Sequence, residues 1–299
     1  MNRSYLYVPG DRPDRLAKGL TKGADAIIAD LEDGVAATAK AEARDAVCAL
    51  LENLTLDGAA GVDGAAGVDG TAGVPQILVR VNPGQLMADD VRAVVTAGAD
   101  AIYLPKATMD SLRHCSEQLD QLESADPGRR ARSVRVVPLI ENARGLLDAP
   151  EMACHDRVHN LALGEADLTA ELGIEPSADG SELLFARSTV VVASAAAGLD
   201  PPTAPVSTDF RDLESLRAET VALRRLGFGA RSAIHPSQLG VINDVFTPTA
   251  AELERATALL ARFEESLVRG EGVCVDTDGT MVDEAVVRSA RRILARRTS

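Results

Sequence analysis

Short runs of apolar residues alternate with amphipathic stretches along most of the chain. The apolar runs are continuous, which is typical of parallel strands covered on both faces. The stretches between them, such as residues 40–51 and 183–197, carry the 3.6-residue period of helices. Eight strands are predicted, at residues 5–8, 26–31, 76–81, 101–104, 134–140, 160–163, 204–208 and 231–234. Eight strand–helix alternations within roughly 230 residues indicate an α/β fold, a (β/α)8 TIM barrel.

Two regions do not fit the alternation. Residues 58–74 form a near-repeat of Gly and Ala with little apolar bulk, which predicts a flexible insert. After the eighth strand, a helix is predicted at 248–269, a Gly/Asp-rich turn at 270–279 and a last helix at 283–297. We therefore expect a barrel over residues 1–246 and a C-terminal helical extension, a lid or an oligomer arm, over residues 247–299.

Composition excludes several classes of protein. The 299 residues are 46% hydrophobic, and 45 acidic against 31 basic residues give a net charge of −14, which disfavours nucleic acid as a partner. The four cysteines form no CxxC pair, so neither a disulfide framework nor a zinc ribbon is indicated. No leader or membrane-spanning segment is evident, and a cytoplasmic protein is expected. An anionic substrate would need a local cluster of cations.

Polar residues follow the predicted strands at the end where barrel enzymes carry their catalytic groups. Glu141 follows the fifth strand and Asp167 the sixth, with Arg80 and Lys106 after the third and fourth. Converging carboxylates repel one another unless a cation joins them, and oxygen ligands favour a hard divalent ion. Glu141 and Asp167 are therefore the predicted Mg²⁺ ligands, although each is also a candidate helix N-cap.

Three further groups have open roles at this stage. Glu32 and Asp33 either orient water around the metal or cap the helix expected near Thr38. Arg80, at the end of a buried strand, pairs with those acids, receives a substrate carboxylate or carbonyl, or does both. Lys106 and Arg12 are candidates for binding an anionic cofactor, and Lys106 is also the one contender for a Schiff-base lysine.

Other candidate sites are weaker. Cys154, His155 and His159 resemble a metal-ligand set, but they precede the sixth strand at the wrong end of a barrel, so surface histidines are expected. His114 falls in a predicted helix, and His235 is expected to brace a turn. Neither a nucleophile elbow, a dinucleotide fingerprint nor a Walker loop occurs in the sequence.

Eight short motifs occur in an order that is itself informative. They are SYLYVP at 4–9, DLED at 30–33, RVN at 80–82, LPK at 104–106, PLIE at 138–141, GEADL at 164–168, IHPSQ at 234–238 and DGTMVD at 278–283. Together they resemble the citrate lyase β-subunit-like branch of the HpcH/HpaI aldolase family, over essentially the whole chain except residues 58–74. The family pattern Gly-x-Glu-Asp is shifted here, because the glutamate is Glu165, and this leaves the role of that glutamate open.

The resemblance implies Mg²⁺ ligands at Glu141 and Asp167 and a substrate-binding arginine at Arg80. It also implies a homotrimer or hexamer in which the C-terminal lid carries a catalytic acid, Asp283, across a subunit boundary. The phosphates of coenzyme A would lie near Arg12 and Lys106.

The function expected from the residues and the resemblance is a Mg²⁺-dependent carbon–carbon lyase. Its substrate would be a 3-hydroxy-3-carboxy acyl thioester of the malyl-, citramalyl- or citryl-CoA type, and its products a keto acid and an acyl-CoA. Catalytic roles are expected for Arg80, Glu32, Asp33 and Asp283, and substrate binding for Arg80 and Glu141. The alternatives are a thioesterase or malate synthase-like enzyme, a lyase subunit acting on an acyl-carrier protein, a non-catalytic barrel that is the binding partner of a multi-subunit lyase, and a class I aldolase using Lys106.

Overall fold

The computed structural model describes residues 2–56, 75–99, 101–125, 133–177, 179–276 and 279–296. Contacts between residues divide them into two compact units, one reaching from Asn2 to Asn243 and one beginning at Asp244. The predicted insert at 58–74 lies outside the described residues. No helix among the described residues is long and apolar enough to cross a membrane.

The larger unit contains a closed barrel of eight parallel strands in sequential order. The strands are β1 Ser4–Pro9, β2 Ala26–Asp30, β3 Gln76–Arg80, β4 Ala101–Leu104, β5 Arg135–Ile140, β6 Ala162–Leu163, β7 Thr203–Ala204 and β8 Ala230–Ala233. The predicted TIM barrel is thereby confirmed. The seventh strand is much shorter than the predicted 204–208, because Pro205 lacks the N–H that continued pairing requires.

Helices follow the strands and cover the barrel. They are α1 Pro13–Gly19, α2 Lys40–Leu56, α3 Met87–Thr96, α4 Met109–Ala125, α5 Ala143–Ala153, α6 Glu165–Leu172, α7 Leu184–Ala196, α8 Leu213–Leu226 and α9 Leu239–Phe246. Local sequence sets several boundaries. Asn142 caps α5 by accepting from the Gly145 N–H, and Gly227 ends α8 in the left-handed conformation that glycine tolerates.

The barrel interior is a packed core and not a pore. All five residues of β2 are buried, consistent with its continuous apolar run. The inward-facing cluster comprises Tyr5, Ala26, Ile28, Leu78, Ala101, Tyr103, Val137, Leu139, Ala162 and Ala230. These side chains support the polar residues at the strand ends from below.

The smaller unit is built from α10 Ala250–Val268, the short antiparallel pair β9 Cys274–Val275 and β10 Met281–Val282, and α11 Glu284–Ala295. Thr249 and Glu252 form a capping box that starts α10. Phe263, Val282 and Val287 are buried together in the core of this unit. The two helices predicted here are therefore present, with ends that differ by one or two residues from the predicted ones.

Candidate active site

Arg80 and Asp30 form a two-pronged ion pair at the carboxyl end of the barrel. They are register partners as the last residues of β3 and β2. Nε and Nη2 of Arg80 donate to the two carboxylate oxygens of Asp30, at 2.6 and 2.7 Å. Burial acts to lower the pKa of Arg80, but the bond to Asp30 raises it above its ordinary value. The guanidinium therefore stays charged and held in one orientation.

Asp30 also organises the turn that follows β2. Its two oxygens accept from the backbone N–H groups of Glu32 and Gly34, both at 2.9 Å. A Cβ at Gly34 would lie 2.4 Å from the Asp30 carboxylate, so a side chain there would displace that carboxylate. The predicted partners of Arg80 were Glu32 and Asp33. This prediction missed Asp30, although its place at the end of a strand adjacent to that of Arg80 was a usable signal.

Glu32 points into the site. Nη1 of Arg80 lies 2.9 Å from its Oε2, and the Lys106 ammonium donates to its Oε1 at 2.8 Å. Oε2 is buried without an aligned hydrogen bond. Burial raises the pKa of Glu32, and the hydrogen bond from Lys106 opposes that shift.

Asp33 lies near the same two cations as Glu32, but its side chain is more exposed to solvent. It is 3.9 Å from Arg80 and 3.8 Å from Lys106, and 59% of its side chain is exposed. The N-cap reading of Glu32 and Asp33 is wrong, because the helical turn before α2 begins after Ala36 and no side chain caps it.

Glu141 follows β5 and is almost fully buried. It is not a helix cap, since Asn142 has that role. One oxygen accepts from the backbone N–H of Lys106 at 2.6 Å. Burial raises the pKa of Glu141 to about 8, and the nearby charges of Glu32 and Asp167 act in the same direction. The side chain lies against Gly164, where a Cβ would come within 2.8 Å of its second oxygen.

Asp167 lies in the first turn of α6, where the helix N-terminus favours negative charge. It is not the N-cap, because that position is Gly164, which has no side chain. Its carboxylate is 44% exposed and lies 3.9 Å from the Lys106 ammonium. The structure thus brings Asp167 to the same end of the barrel as Glu141, as the sequence predicted.

The charges of this cluster favour a bound cation. Among the described residues, five carboxylates lie around the cations Arg80 and Lys106: those of Asp30, Glu32, Asp33, Glu141 and Asp167. A third cation, Lys40, donates to the backbone carbonyls of Leu31 and Glu32, so carboxylates still outnumber cations. Within the described ranges, no three His, Cys, Asp or Glu side chains form a ready ligand group. Glu141 and Asp167 offer two carboxylates at this end of the barrel, and Mg²⁺ commonly takes one or two protein carboxylates and completes its shell with water and substrate oxygens.

The floor of the site contains aromatic groups that sequence reasoning missed. The guanidinium of Arg80 lies over the ring of Tyr7, 4.9 Å from its centre, and Tyr7 meets Tyr103 edge to face. Burial raises the pKa of both hydroxyls well above their ordinary value. Tyr7 was present in the SYLYVP motif, but an apolar strand pattern does not separate a site tyrosine from a core one.

Three other residues singled out in the sequence have contacts with residues outside this cluster. Arg12 follows β1, has a half-exposed side chain and is 3.6 Å from Asp14. Asp283 belongs to the smaller unit, where it caps α11 by accepting from the N–H groups of Ala285 and Val286. Its catalytic role stays a prediction. Glu165 forms a two-pronged pair with Arg187, at 2.6 and 2.9 Å.

The four histidines differ in their exposure and contacts. Nδ1 of His235 accepts from the Ser237 N–H in a capping box, which confirms that His235 braces a turn. His114 lies exposed on α4. The expectation that His155 and His159 lie on the surface is wrong, because both are half-buried where the chain packs before β6. Burial lowers the pKa of His159 to about 4.

The family model of the HpcH/HpaI aldolase/citrate lyase proteins matches residues 3–236 of the chain. The chain belongs to this family. Among its relatives is a citrate lyase subunit beta of Leuconostoc mesenteroides subsp. cremoris, 32% identical over 297 residues that cover 98% of this chain and 92% of the relative. A (3S)-malyl-CoA thioesterase of Cereibacter sphaeroides is 34% identical over 299 residues, covering 98% and 94%. These likenesses place the chain in the citrate lyase β-subunit-like branch of the family.

Solved structures agree with that placement. CitE from Mycobacterium tuberculosis, in complex with magnesium, acetoacetate and coenzyme A, superposes with a TM-score of 0.73 and is 30% identical. The match covers 99% of this chain and 98% of CitE. A CitE complex with oxaloacetate and magnesium matches with a TM-score of 0.62, over 82% of this chain and 96% of that one.

Proposed function

We propose that this protein is a Mg²⁺-dependent carbon–carbon lyase. Its substrate would be a 3-hydroxy-3-carboxy acyl-CoA of the malyl, citramalyl or citryl type, cleaved to a keto acid and an acyl-CoA. The observation that carries the proposal is the arrangement of Glu141 and Asp167 beside a rigidly held Arg80. The magnesium and coenzyme A bound by CitE support the choice of ion and of thioester.

Glu141 and Asp167 would hold the ion, which supplies Lewis-acid polarisation of substrate oxygens when bound. Arg80 would hydrogen-bond the substrate hydroxyl oxygen as it becomes a carbonyl. Because Asp30 already fixes the guanidinium, little reorganisation is needed when negative charge develops. Buried surroundings strengthen that interaction further.

The proton and electron movements then balance between side chains of this protein, one of them on a neighbouring subunit. A carboxylate beside Arg80, either Glu32 or Asp33, would accept the hydroxyl proton. The carbon–oxygen bond becomes a carbonyl, and the electrons of the broken carbon–carbon bond pass to the thioester α-carbon as an enolate. Asp283 of a neighbouring chain would return a proton to that carbon. The reverse sequence is a Claisen-type condensation.

A Schiff-base mechanism through Lys106 is disfavoured. Its hydrogen bond to Glu32 raises the pKa of Lys106, with burial opposing the shift, whereas an amine nucleophile requires a lowered pKa. The likeness to a malyl-CoA thioesterase supports a second candidate, hydrolysis of the thioester at the same site. The citrate lyase relatives support a third, action on a carrier-protein thioester as part of a larger lyase.

One assay separates these candidates. Malyl-, citramalyl- and citryl-CoA are incubated with the protein, with Mg²⁺ or with EDTA, and keto acid and free CoA are measured together. A lyase produces keto acid and acyl-CoA without free CoA, and only with Mg²⁺. Free CoA would identify a thioesterase. No product from any CoA ester, but turnover of an acyl-carrier protein, would identify a lyase subunit.

The role of Asp283 has its own test, since it needs two chains of an oligomer. Asp283→Asn and Glu141→Gln are each expected to be inactive alone. Mixed under conditions that allow subunit exchange, they should recover part of the activity, because some sites then combine an intact Glu141 with an intact Asp283. Absence of recovery, with exchange demonstrated by mass, would contradict a trimer or hexamer with shared sites.

A further inference from the structure

Lys106 has a backbone conformation that side chains rarely adopt. Its φ is +48°, and among the described residues it is the one non-glycine residue with a positive φ. Such a conformation is unfavourable for a residue with a Cβ and persists only where the surroundings enforce it. The question is what enforces it and what it achieves.

The residues after Lys106 are held from two sides. The Ala107 N–H donates to the Leu139 carbonyl at 3.1 Å, and the Asn142 side chain donates to the Ala107 carbonyl at 3.4 Å. A Cβ on Gly145 would lie 2.2 Å from that same carbonyl, so α5 approaches the turn as closely as only glycine allows. The packing of β5 and α5 thus determines the path of the turn.

The conformation lets one residue hold two carboxylates on different strand ends. The backbone N–H of Lys106 donates to Glu141 after β5 at 2.6 Å, and its ammonium donates to Glu32 after β2 at 2.8 Å. The ammonium also lies within 4 Å of Asp33 and Asp167. Both polar ends of Lys106 therefore contact carboxylates of the site.

This placement differs from that of a phosphate ligand. Arg12 has a half-exposed guanidinium, and the ion pair it forms with an acid among the described residues, Asp14, is long, at 3.6 Å, so donors remain for an anion. The Lys106 side chain is similarly exposed, at 43%, but its ammonium is bonded to Glu32 and lies within 4 Å of Asp33 and Asp167. Three carboxylates around the ammonium would repel a phosphate placed beside it. Resting on the metal-dependent lyase proposed above, we infer that Lys106 is a positioning residue for Glu141 and Glu32, and not a ligand of the coenzyme A phosphates.

The side-chain half of the inference is tested with Lys106→Met. Calorimetric titration with free CoA should give a dissociation constant within about two-fold of wild type, since no phosphate contact is lost. With the best CoA ester, kcat should fall about 10-fold or more while KM is unchanged, because Glu32 loses its orienting partner. Lys22→Met, at an exposed lysine before β2, is the matched control and should match wild type throughout. CoA binding weakened about 10-fold would instead assign a phosphate contact and overturn the inference.

The backbone half is tested by comparing Lys106→Gly with Lys106→Ala. Both lack the ammonium, so only the ease of the left-handed conformation differs. The glycine variant should bind Mg²⁺ about 10-fold more tightly than the alanine variant, because the N–H stays directed at Glu141. Equal Mg²⁺ affinities, with a lower melting temperature for alanine, would show a merely structural turn and overturn this half. Lys106→Asn, which tolerates the conformation, should behave like glycine and provides a second comparison if alanine does not fold.

These titrations do not require turnover, so the two proposals fail in different ways. An incorrect lyase assignment gives no keto acid from wild-type protein. An incorrect role for Lys106 gives an active wild type whose Lys106→Met variant loses CoA affinity.

Discussion

At the end of the barrel where the strands begin, arginines and carboxylates form closed pairs, in which one arginine donates to both oxygens of one carboxylate. Arg157 donates to both oxygens of Glu123, at 2.9 and 2.8 Å, and Arg3 donates to both oxygens of Asp25, at 2.8 and 2.7 Å. At the other end, Arg80 and Asp30 form a similar fork, but acids remain in excess around it. Oε2 of Glu32 has no aligned hydrogen bond.

This difference between the two ends of the barrel indicates which charged residues stabilise the fold and which belong to the candidate active site. Closed pairs satisfy each buried charge with a neighbour and leave nothing for a ligand. An excess of buried carboxylates costs stability in the isolated chain and is retained where a cation or substrate completes the site. Catalytic groups of TIM barrels lie at the carboxyl ends of strands, and residues at the opposite end serve the fold. The predictions below test that division.

The largest effect is expected for Glu141→Gln. The amide keeps the shape but removes a proposed metal ligand, so Mg²⁺-dependent kcat should fall by about 1,000-fold or more. The melting temperature should not fall, because a buried carboxylate with little compensation is replaced by a neutral group. Steady-state kinetics and thermal melting check this. Asp25→Asn, at the opposite end, should instead lower stability and keep kcat, and a Glu141→Gln variant with near-normal turnover would contradict the division.

Arg157→Met should produce the opposite pattern. Removing the arginine leaves the buried Glu123 without its main partner, which typically costs about 3–5 kcal/mol of unfolding free energy. Urea unfolding measures this loss, while kcat of the folded enzyme should remain unchanged. The exposed Arg15→Met variant is the control and should change stability by less than about 0.5 kcal/mol. A kcat loss without a stability loss would show that Arg157 acts in catalysis.

Gly164→Ala tests how closely the site is packed. The added Cβ would meet the Glu141 side chain at 2.7 to 2.8 Å, so the carboxylate must move. Mg²⁺ affinity should fall about 10- to 100-fold, as is typical when the support of a ligand is disturbed. Gly240→Ala is the control, because a Cβ there meets nothing within 4 Å. Unchanged Mg²⁺ binding by calorimetry would remove Glu141 from the metal shell.

The smallest effect concerns acid stability at the other end. Burial lowers the pKa of His159 to about 4, with the charge of Arg135 adding to the effect and Asp200 opposing it. The folded state therefore disfavours protonation, and the stability this group contributes is present above about pH 6.5 and lost as pH falls toward 4. His159→Gln should retain about 2 kcal/mol more of its neutral-pH stability at pH 4 than wild type, a figure that allows for partial exposure. Urea unfolding with the same pH profile in the variant and in wild type would contradict this. The control is His114→Gln, because His114 is exposed on α4.

Much of the site was predictable because barrel strands place their carboxyl ends together. Glu141, Asp167, Arg80, Glu32, Asp33 and Lys106 were each identified from their position after an apolar run, and the structure brings them into one cluster. Asp30 was missed as the partner of Arg80, because the register that pairs the ends of β2 and β3 was not used to choose among the acids of DLED. The helix-capping alternative for Glu32 and Asp33 was wrong, because the helical turn begins after Ala36 without a side-chain cap and both acids contact cations from other strands.

The order of strands and helices, the barrel, and the end at which polar groups collect were determined by the sequence itself, since each depends on periodicity between near neighbours in the chain. Which carboxylate is satisfied and which is left over was decided only by the tertiary structure. That distinction depends on the register of β2 against β3, on the left-handed turn at Lys106 and on the missing Cβ of Gly164. Those contacts join residues far apart in the chain, and hydrogen-bond satisfaction is a property of the packed site that no local pattern encodes.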